Sequence, residues 1–301
     1  MSARGSERPR APRAQPVALR LVARTRLPAP VQLPGLAVTG RRLLAAGGLS
    51  AADASVADVV AIAGAGISRP QLVATLPQPV HDAGAAALAG RLLVFGGGSA
   101  NGPTAAIDAV DARGRTTAAG RLPSPSSDLE AARIGSTVYV VGGFTGTVAL
   151  RSVLAFEPGQ PLRDVGTLPH PLRYAAVAAV GGALLVAGGT DGTHVRSEIL
   201  RFDPASRRVR TIGTLPTGLA HAASASLGGI FYVLGGRGDG RSSQRRAILA
   251  IDPSSGRVRH AGRLPVALSD LSAATLGTRI WVVGGRDGTG RVHDEAWALR
   301  R

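Results

Sequence analysis

The chain has 301 residues, no cysteine and a formal net charge of +16, and its 35 basic residues are all arginine. A chain of this length buries roughly three quarters of its unfolded surface on folding, so it forms a core without metal or disulfide support. The lack of cysteine excludes disulfide frameworks, zinc–thiolate sites and thiol nucleophiles. The charge is typical of nucleic-acid binding, but two Trp, three Tyr and five Phe are few for stacking on bases. We therefore expect no nucleic-acid partner.

The N-terminal stretch differs in composition from the rest of the chain. Residues 1–16 are rich in Arg, Pro and Ala, which predicts a disordered tail. This stretch lacks the apolar segment of a secretory signal, and no apolar run elsewhere approaches the roughly 20 residues that a membrane-spanning helix needs. We expect a cytoplasmic protein without a membrane span; the alternative is an exported protein whose signal precedes the given start.

One unit recurs six times from residue 27 onward. Each unit begins at a Leu-Pro pair and reaches a Gly-Gly pair, and the step from the Leu to the first Gly is 20 residues every time. The units begin at Leu27, Leu76, Leu122, Leu168, Leu215 and Leu264, and the first glycines are Gly47, Gly96, Gly142, Gly188, Gly235 and Gly284. A repeat of 46 to 49 residues indicates a β-propeller.

Each unit also repeats one order of strand and turn signals. A stretch of small residues is followed by a glycine, which predicts a hairpin turn with positive φ. Four apolar residues then precede the Gly-Gly in every unit, which predicts a strand covered on both faces. A third strand ends at a turn dipeptide such as Asp203-Pro204, and a fourth returns to the next Leu-Pro. Four antiparallel strands of this kind form one propeller blade.

The last unit contains three strands instead of four. Residues 17–26 alternate as a strand does and precede the first Leu-Pro, so we expect this segment to complete the last blade and close the ring. The predicted fold is therefore an all-β, six-bladed propeller over residues 17–301, with four-stranded blades and the N-terminal strand in the last of them.

The Gly-Gly after an apolar strand, at this period, resembles the kelch repeat, and the chain is similar to bacterial kelch-repeat proteins over residues 17–301. The tryptophan that the family usually has in the outermost strand is absent. Kelch propellers include interaction scaffolds, a sialic acid epimerase and copper oxidases, so the resemblance implies the fold more strongly than the function. Copper radical oxidases need a cysteine cross-linked to tyrosine, which this chain lacks.

The kelch arrangement makes the alanine-rich strand innermost and opens the loop after Leu-Pro at the mouth of the central channel. The residues five and six positions past each Leu then form a ring, and the candidate ligand-binding residues are Gln32, His81, Asp82, Ser127, Asp128, Arg173, Tyr174, His221, Ser269 and Asp270. Imidazoles, carboxylates and a guanidinium facing one funnel can bind a polyhydroxylated ligand and transfer protons. Asp and Ser also satisfy turn amides, so a structural role remains open.

The loops after Gly-Gly form a second set at the same mouth. Its members are Arg237, Asp239, Arg241, Arg245, Arg246, Asp287, His293, Asp294, Asp191, His194 and Arg196. The arginines in this set can clamp a carboxylate or phosphate, and the alternative is a set of solvated loops.

Two functions are consistent with these residues. The first is a monomeric binding module, with a protein or carbohydrate at the loop face and no cofactor or metal. The alternative is a carbohydrate-active enzyme resembling the kelch-type sialic acid epimerases. In that case the resemblance implies a ring carboxylate, His81 or His221 as the proton-transfer group, and Arg173 as the partner of a substrate carboxylate.

Overall fold

The computed structural model describes residues 18–301 and shows an all-β, six-bladed propeller. The predicted tail of residues 1–16 lies outside this range. The described residues contain no helix long and apolar enough to cross a membrane.

The first three blades each contain four antiparallel strands. Blade I consists of β2 (Gly35–Thr39), β3 (Arg42–Ala46), β4 (Val56–Gly64) and β5 (Gln71–Val80). Blade II consists of β6 (Gly84–Leu88), β7 (Arg91–Phe95), β10 (Ala106–Val110) and β11 (Thr116–Arg121), and a small hairpin of β8 (Gly98–Ser99) and β9 (Gly102–Pro103) extends from it. Blade III consists of β12 (Glu130–Ile134), β13 (Thr137–Val141), β14 (Ser152–Phe156) and β15 (Arg163–Thr167).

The other three blades follow the same plan. Blade IV consists of β16 (Ala176–Val180), β17 (Ala183–Ala187), β18 (Glu198–Asp203) and β19 (Arg208–Thr214). Blade V consists of β20 (Ala223–Leu227), β21 (Ile230–Leu234), β22 (Arg245–Ile251) and β23 (Val258–Leu268). Blade VI consists of β24 (Ser272–Leu276), β25 (Arg279–Val283), β26 (Glu295–Arg300) and β1 (Arg20–Arg26).

The hydrophobic core lies between the blades. The four apolar residues before each Gly-Gly are buried in every blade, as the sequence predicts. Their side chains form one cluster at each interface between neighbouring blades; Phe95 and Phe156, for example, meet edge-on between blades II and III, 5.4 Å apart at the ring centroids. The innermost strands contact one another around the channel, and β24 of blade VI contacts β2 of blade I. Several of these innermost strands are rich in alanine, for example β6 and β16.

The Gly-Gly pair joins each blade to the next. In blade VI, Gly284 has a φ of 61°, and a Cβ at this position would overlap with the carbonyl oxygen of Val31 in blade I. The next amide, of Gly285, donates a 2.9 Å hydrogen bond to the same carbonyl. The equivalent contact recurs in the other five blades. The fixed step from Leu-Pro to Gly-Gly therefore reflects a contact that every blade makes with the segment leading into the next blade, which in blades I and V is the end of β5 and β23.

The first strand of the chain lies at the outer edge of blade VI. Strand β1 pairs antiparallel with β26, from Arg20 opposite Arg300 to Arg26 opposite Glu295. The Arg26 guanidinium also forms a 3.0 Å ion pair with Asp294. The predicted strand over residues 17–26 thus begins at Arg20 among the described residues.

Two outer strands are longer than the sequence suggests. We expected each Leu-Pro pair to end the fourth strand, but β5 and β23 continue through Leu76-Pro77 and Leu264-Pro265. Proline is tolerated here because the fourth strand is an edge strand, and the missing N–H interrupts no further ladder.

Candidate functional site

A ring of six residues with unusual backbone geometry surrounds the channel at the loop face. Each lies six positions past the Leu of its Leu-Pro pair and has a left-handed φ: Leu33 (57°), Asp82 (53°), Asp128 (58°), Tyr174 (55°), His221 (57°) and Asp270 (60°). Non-glycine residues adopt this conformation rarely, and for a leucine it costs roughly 1–2 kcal/mol. The surrounding structure must therefore offset the cost of this backbone conformation at all six positions.

Hydrogen bonds between the backbones of these six residues supply that compensation. The amide of each donates to the carbonyl oxygen of the equivalent residue one blade earlier, for example Asp128 to Asp82 at 2.9 Å and Asp270 to His221 at 3.0 Å. The amide of Leu33 donates to Asp270 at 2.7 Å, so the hydrogen bonds form a closed circle. The circle fixes the position of every ring side chain relative to the channel.

On one side of the ring, Arg173 neutralises a buried carboxylate. Its Nη2 atom lies 2.5 Å from Oδ2 of Asp128, whose side chain is 4% exposed. The guanidinium also packs over the Phe144 ring at 4.0 Å and donates to the Tyr174 hydroxyl at 3.1 Å. Burial raises the pKa of Asp128, and the Arg173 charge opposes this shift. The Arg173 guanidinium is therefore held by contacts with three other residues of the protein.

On the other side, a histidine lies between an aspartate and an arginine. The Nδ1 atom of His221 is 2.5 Å from Oδ1 of Asp270, and its Nε2 atom is 2.7 Å from Nη2 of Arg237. The second oxygen of Asp270 accepts a 2.6 Å hydrogen bond from the Ser269 hydroxyl. Burial alone would raise the pKa of Asp270, but the hydrogen bonds from His221 and Ser269 outweigh burial and hold that pKa below its ordinary value.

Two further carboxyl groups line the channel, and one of them, Asp82, is a member of the ring. Burial raises the pKa of Asp82 well above its ordinary value, and the negative charges of Asp128 and Asp270 raise it further. Burial also raises the pKa of Glu130, the first residue of β12, to about 8. The shifts at Asp82 and Glu130 favour the neutral carboxyl, whereas the shift at Asp270 favours the carboxylate. The channel therefore holds carboxyl groups whose pKa values are shifted in opposite directions.

Two cavities meet at the ring. The channel cavity, which Asp82, Asp128 and Glu130 line, has a volume of about 40 Å³, enough for water molecules but not for a sugar. The mouth cavity lies at the loop face among blades I, IV, V and VI and measures about 510 Å³. Its polar lining residues are Gln32, Asp53, Tyr174, Arg237, Arg241, Ser242, Gln244, Asp270, Arg286, Asp287 and Thr289. Of the two cavities at the ring, the mouth cavity alone has room for a small organic ligand.

Six of the ten predicted ring residues line one or both cavities. Gln32 lines the mouth cavity, Tyr174 and Asp270 line both cavities, and Asp82, Asp128 and His221 line the channel cavity.

The other four predicted residues support their neighbours. The Ser127 and Ser269 side chains hydrogen-bond Asp128 and Asp270. His81 lies 2.8 Å from the Ser55 hydroxyl at its Nδ1 atom, and burial lowers its pKa. Arg173 is paired with Asp128, as described above.

Sequence reasoning missed several residues of this region, including Asp53, Ser242, Gln244, Arg286, Leu33 and Glu130. Arg286 follows a Gly-Gly pair just as Arg237 does, and Leu33 occupies the ring position of blade I, so the repeat register alone would have found both. Glu130 stands eight positions past its Leu, where the other five units have only Gly, Ala or Ser. A single charged residue at a position that is otherwise small was the available signal.

The Asp-Gly-Thr sequences at residues 191–193 and 287–289 form turns rather than calcium loops. One carboxylate oxygen of Asp191 accepts hydrogen bonds from the amides of Thr193 and His194, at 2.8 and 2.7 Å. Asp287 accepts from the Thr289 amide in the same way, and its other oxygen lies 2.9 Å from Nε2 of His293. Within residues 18–301, no cluster of three or more potential ligands is arranged to hold a metal ion.

Comparison with known proteins agrees with this fold. Residues 171–216 match the Kelch motif, and the match contains all four strands of blade IV. Blade IV therefore contains a kelch motif, and the chain as a whole folds as a six-bladed β-propeller. Among solved structures, that of YjhT superposes with a TM-score of 0.80 over 92% of this chain and 96% of the other, at 14% sequence identity. Such a low identity shows the fold alone. No curated protein matches the sequence.

Proposed function

We propose that this kelch propeller is a binding module whose ligand is a small polar molecule held in the mouth cavity. The observation that carries the proposal is the cavity itself, whose polar walls come from four different blades. A volume of about 510 Å³ is within the range of small-molecule sites. Residues from blades I, V and VI and Tyr174 of blade IV converge on it, which a solvated loop surface does not require.

The hydrogen-bonding groups of the cavity favour a hydroxylated ligand with a negative charge. The aspartates in the wall are already engaged: Asp53 with Gln32 at 2.9 Å, and Asp270 and Asp287 as described above. Arg241 is exposed; its backbone carbonyl accepts a 2.7 Å hydrogen bond from Gln244, whereas its guanidinium has no hydrogen bond or ion pair among the described residues. A free guanidinium beside the partly exposed Arg237 and Arg286 suits a carboxylate or phosphate, which Arg binds in bidentate fashion.

A thermal-shift screen tests the proposal. The full chain is melted in the presence of neutral sugars, sugar acids, nucleotides and calcium. A ligand at 100 times its dissociation constant adds about 2.7 kcal/mol to the free energy of unfolding, which raises the melting temperature by several degrees. We expect a shift with a hydroxylated anion. If no compound in the screen shifts the melting temperature, a small-molecule site is contradicted, and a protein partner at the loop face becomes the alternative to test by pull-down.

The carboxyl groups in the channel support a second candidate, a carbohydrate-active enzyme resembling the kelch-type sialic acid epimerases. Proton-transfer enzymes often hold one carboxyl protonated and another ionised close together, and Asp82 and Asp270 have pKa values shifted in opposite directions. A turnover assay on any sugar that shifts the melting temperature tests this candidate. Loss of turnover in Asp82→Asn at unchanged melting temperature would support it, and binding without turnover would contradict it.

A further inference from the structure

We propose that His221 is a proton acceptor for hydroxylated anions bound in the mouth cavity, and that Arg237 covers its Nε2 atom until such an anion draws the guanidinium away. The proposal rests on the proposed function, because it needs a ligand in that cavity. It adds that His221 receives a proton, that Asp270 orients the imidazole, and that a hydroxylated anion uncovers the Nε2 atom.

The two hydrogen bonds of the imidazole define its tautomer. A guanidinium can only donate, so the Nε2 atom, 2.7 Å from Arg237, must accept. The hydrogen of a neutral imidazole then lies on Nδ1, which donates to Asp270 at 2.5 Å. An imidazole held by a carboxylate at Nδ1, with a lone pair at Nε2, has the arrangement of a general base. Only the arginine prevents Nε2 from accepting a proton.

The histidine and the aspartate are fixed in place. The Tyr174 ring stacks on the imidazole at a centroid distance of 3.7 Å, and the His221 and Asp270 side chains are only 9% and 11% exposed. Their backbones belong to the hydrogen-bonded circle, and Ser269 holds the second carboxylate oxygen of Asp270. The orientation of the imidazole does not depend on a ligand.

Arg237, by contrast, can move. Its side chain is partly exposed, lines the mouth cavity and has several rotatable bonds. Its partner at Nε2 is a single imidazole nitrogen, whereas a carboxylate or phosphate carries a negative charge and can accept two parallel N–H bonds from the guanidinium. An anion near Arg237 and Arg241 therefore competes for the guanidinium, and Nε2 becomes open to the cavity.

The proton transfer is balanced within this site. A ligand hydroxyl loses its O–H bond, the electron pair stays on the oxygen, and an N–H bond forms at Nε2. The resulting imidazolium is stabilised by ionised Asp270, and the reverse step returns the proton. Besides Asp270 and Arg237, the charged group that acts on this imidazole is Asp128, with the neutral Tyr174 stacked on it.

The first test needs no ligand. Nitrogen-15 NMR of the full chain reports which imidazole nitrogen carries the hydrogen, and the His221 resonance is assigned with the variant Arg237→Gln. We expect the Nδ1–H tautomer in the wild type. A hydrogen on Nε2 at neutral pH would overturn the proposal, even if the mouth cavity binds a ligand.

The second test measures access to Nε2. Diethyl pyrocarbonate modifies an unprotonated imidazole nitrogen, and mass spectrometry locates the modified histidine. We expect His221 to react at least tenfold faster in Arg237→Gln than in the wild type, and Arg91→Gln, a change at an exposed arginine at the start of β7, to leave the rate unchanged. Equal rates in Arg237→Gln and the wild type would overturn the role of Arg237 as a cover.

The third test adds an anion to the same reaction. Inorganic phosphate or gluconate should accelerate modification of wild-type His221 and have no effect on Arg237→Gln. If neither anion accelerates it, uncovering by an anion is wrong. The first two tests do not depend on a ligand. They therefore distinguish a missing anion site from a wrong assignment of Arg237 as the residue that covers His221.

Discussion

The amide of Leu33 donates a 2.7 Å hydrogen bond to the carbonyl oxygen of Asp270, and this contact between the first and last blades closes the backbone circle around the channel. Leu33 can make it only with a φ of 57°, which is unfavourable for a leucine. The circle gives the propeller a second closure near the channel axis, in addition to the pairing of β1 with β26 at its rim.

The left-handed backbone at Leu33 can be tested by substitution. Leu33→Gly should change the free energy of unfolding by less than about 1 kcal/mol, because relief of the strain offsets the lost side chain. Leu33→Val should cost about 1–2 kcal/mol more than Leu33→Gly, because a β-branched residue tolerates this conformation worst. Chemical denaturation measures both. Leu72→Val, at an exposed position of β5, is the control and should have no effect. If Leu33→Val is as stable as the wild type, the strained ring is wrong.

The ion pair between Arg173 and Asp128 should matter for stability. Arg173→Met leaves the buried Asp128 carboxylate without its counter-charge and should cost about 3 kcal/mol. Adding Asp128→Asn should restore most of the loss, since no buried charge then lacks a partner. Equilibrium denaturation of the two single variants and the double variant gives the coupling energy. An unchanged stability of Arg173→Met would instead favour the ligand-carboxylate role that the family resemblance implies for Arg173.

Glu130 predicts a pH dependence of stability with a definite sign. The folded protein holds a proton on this carboxyl up to a pKa of about 8, whereas the unfolded chain releases it near 4.5. This contribution to stability is fully present below pH 4.5 and is lost as the pH rises through about 8.

Glu130→Gln keeps the shape of the side chain and removes this titration. The variant should match the wild type near pH 4.5 and exceed its stability by about 2 kcal/mol at pH 9, after allowance for partial solvent access. Thermal melts across this pH range measure the difference. Glu198→Gln, at a partly exposed carboxylate outside the channel, is the control. Parallel pH profiles of wild type and Glu130→Gln would mean that Glu130 is solvated.

The N-terminal strand should be required for a closed ring. Deletion of residues 1–26 removes β1 and with it the buried Leu19, whose amide donates to Ala261 in blade V at 2.7 Å. We expect this deletion to cost several kcal/mol and to leave β26 as an open edge. Deletion of residues 1–14 leaves β1 intact and serves as the control, for which we expect almost no change. Equal melting temperatures of the two truncations would contradict the role of β1.

The blades were predictable because their signals are local. The buried runs before Gly-Gly, the turn glycines and the constant step between Leu-Pro and Gly-Gly each concern residues that are close in sequence. The extension of β5 and β23 through Leu-Pro was not predictable, because proline reads as a strand end unless the strand is known to lie at an edge.

The site was predictable only in part. The repeat register places His221 and Asp270 on one rim, but they are 49 positions apart and come from different blades. No spacing rule in a single sequence predicts that Nδ1 of His221 lies 2.5 Å from Oδ1 of Asp270, or that Arg173 forms an ion pair with Asp128. Such pairs depend on the curvature of the ring and on side-chain packing, whereas the sequence register determines only which residues reach the same rim.

The central claim is that the mouth cavity is the binding site. The most direct test compares the affinity of one ligand for the wild type and for two matched arginine variants. The compound with the largest thermal shift is titrated calorimetrically into the wild type, Arg241→Ala and Arg91→Ala. Both arginines are exposed, but Arg91 begins β7 at the opposite end of the propeller. We expect Arg241→Ala to weaken binding at least tenfold, which corresponds to about 1.4 kcal/mol, and Arg91→Ala to bind like the wild type. Equal affinities for all three proteins would contradict a site in the mouth cavity.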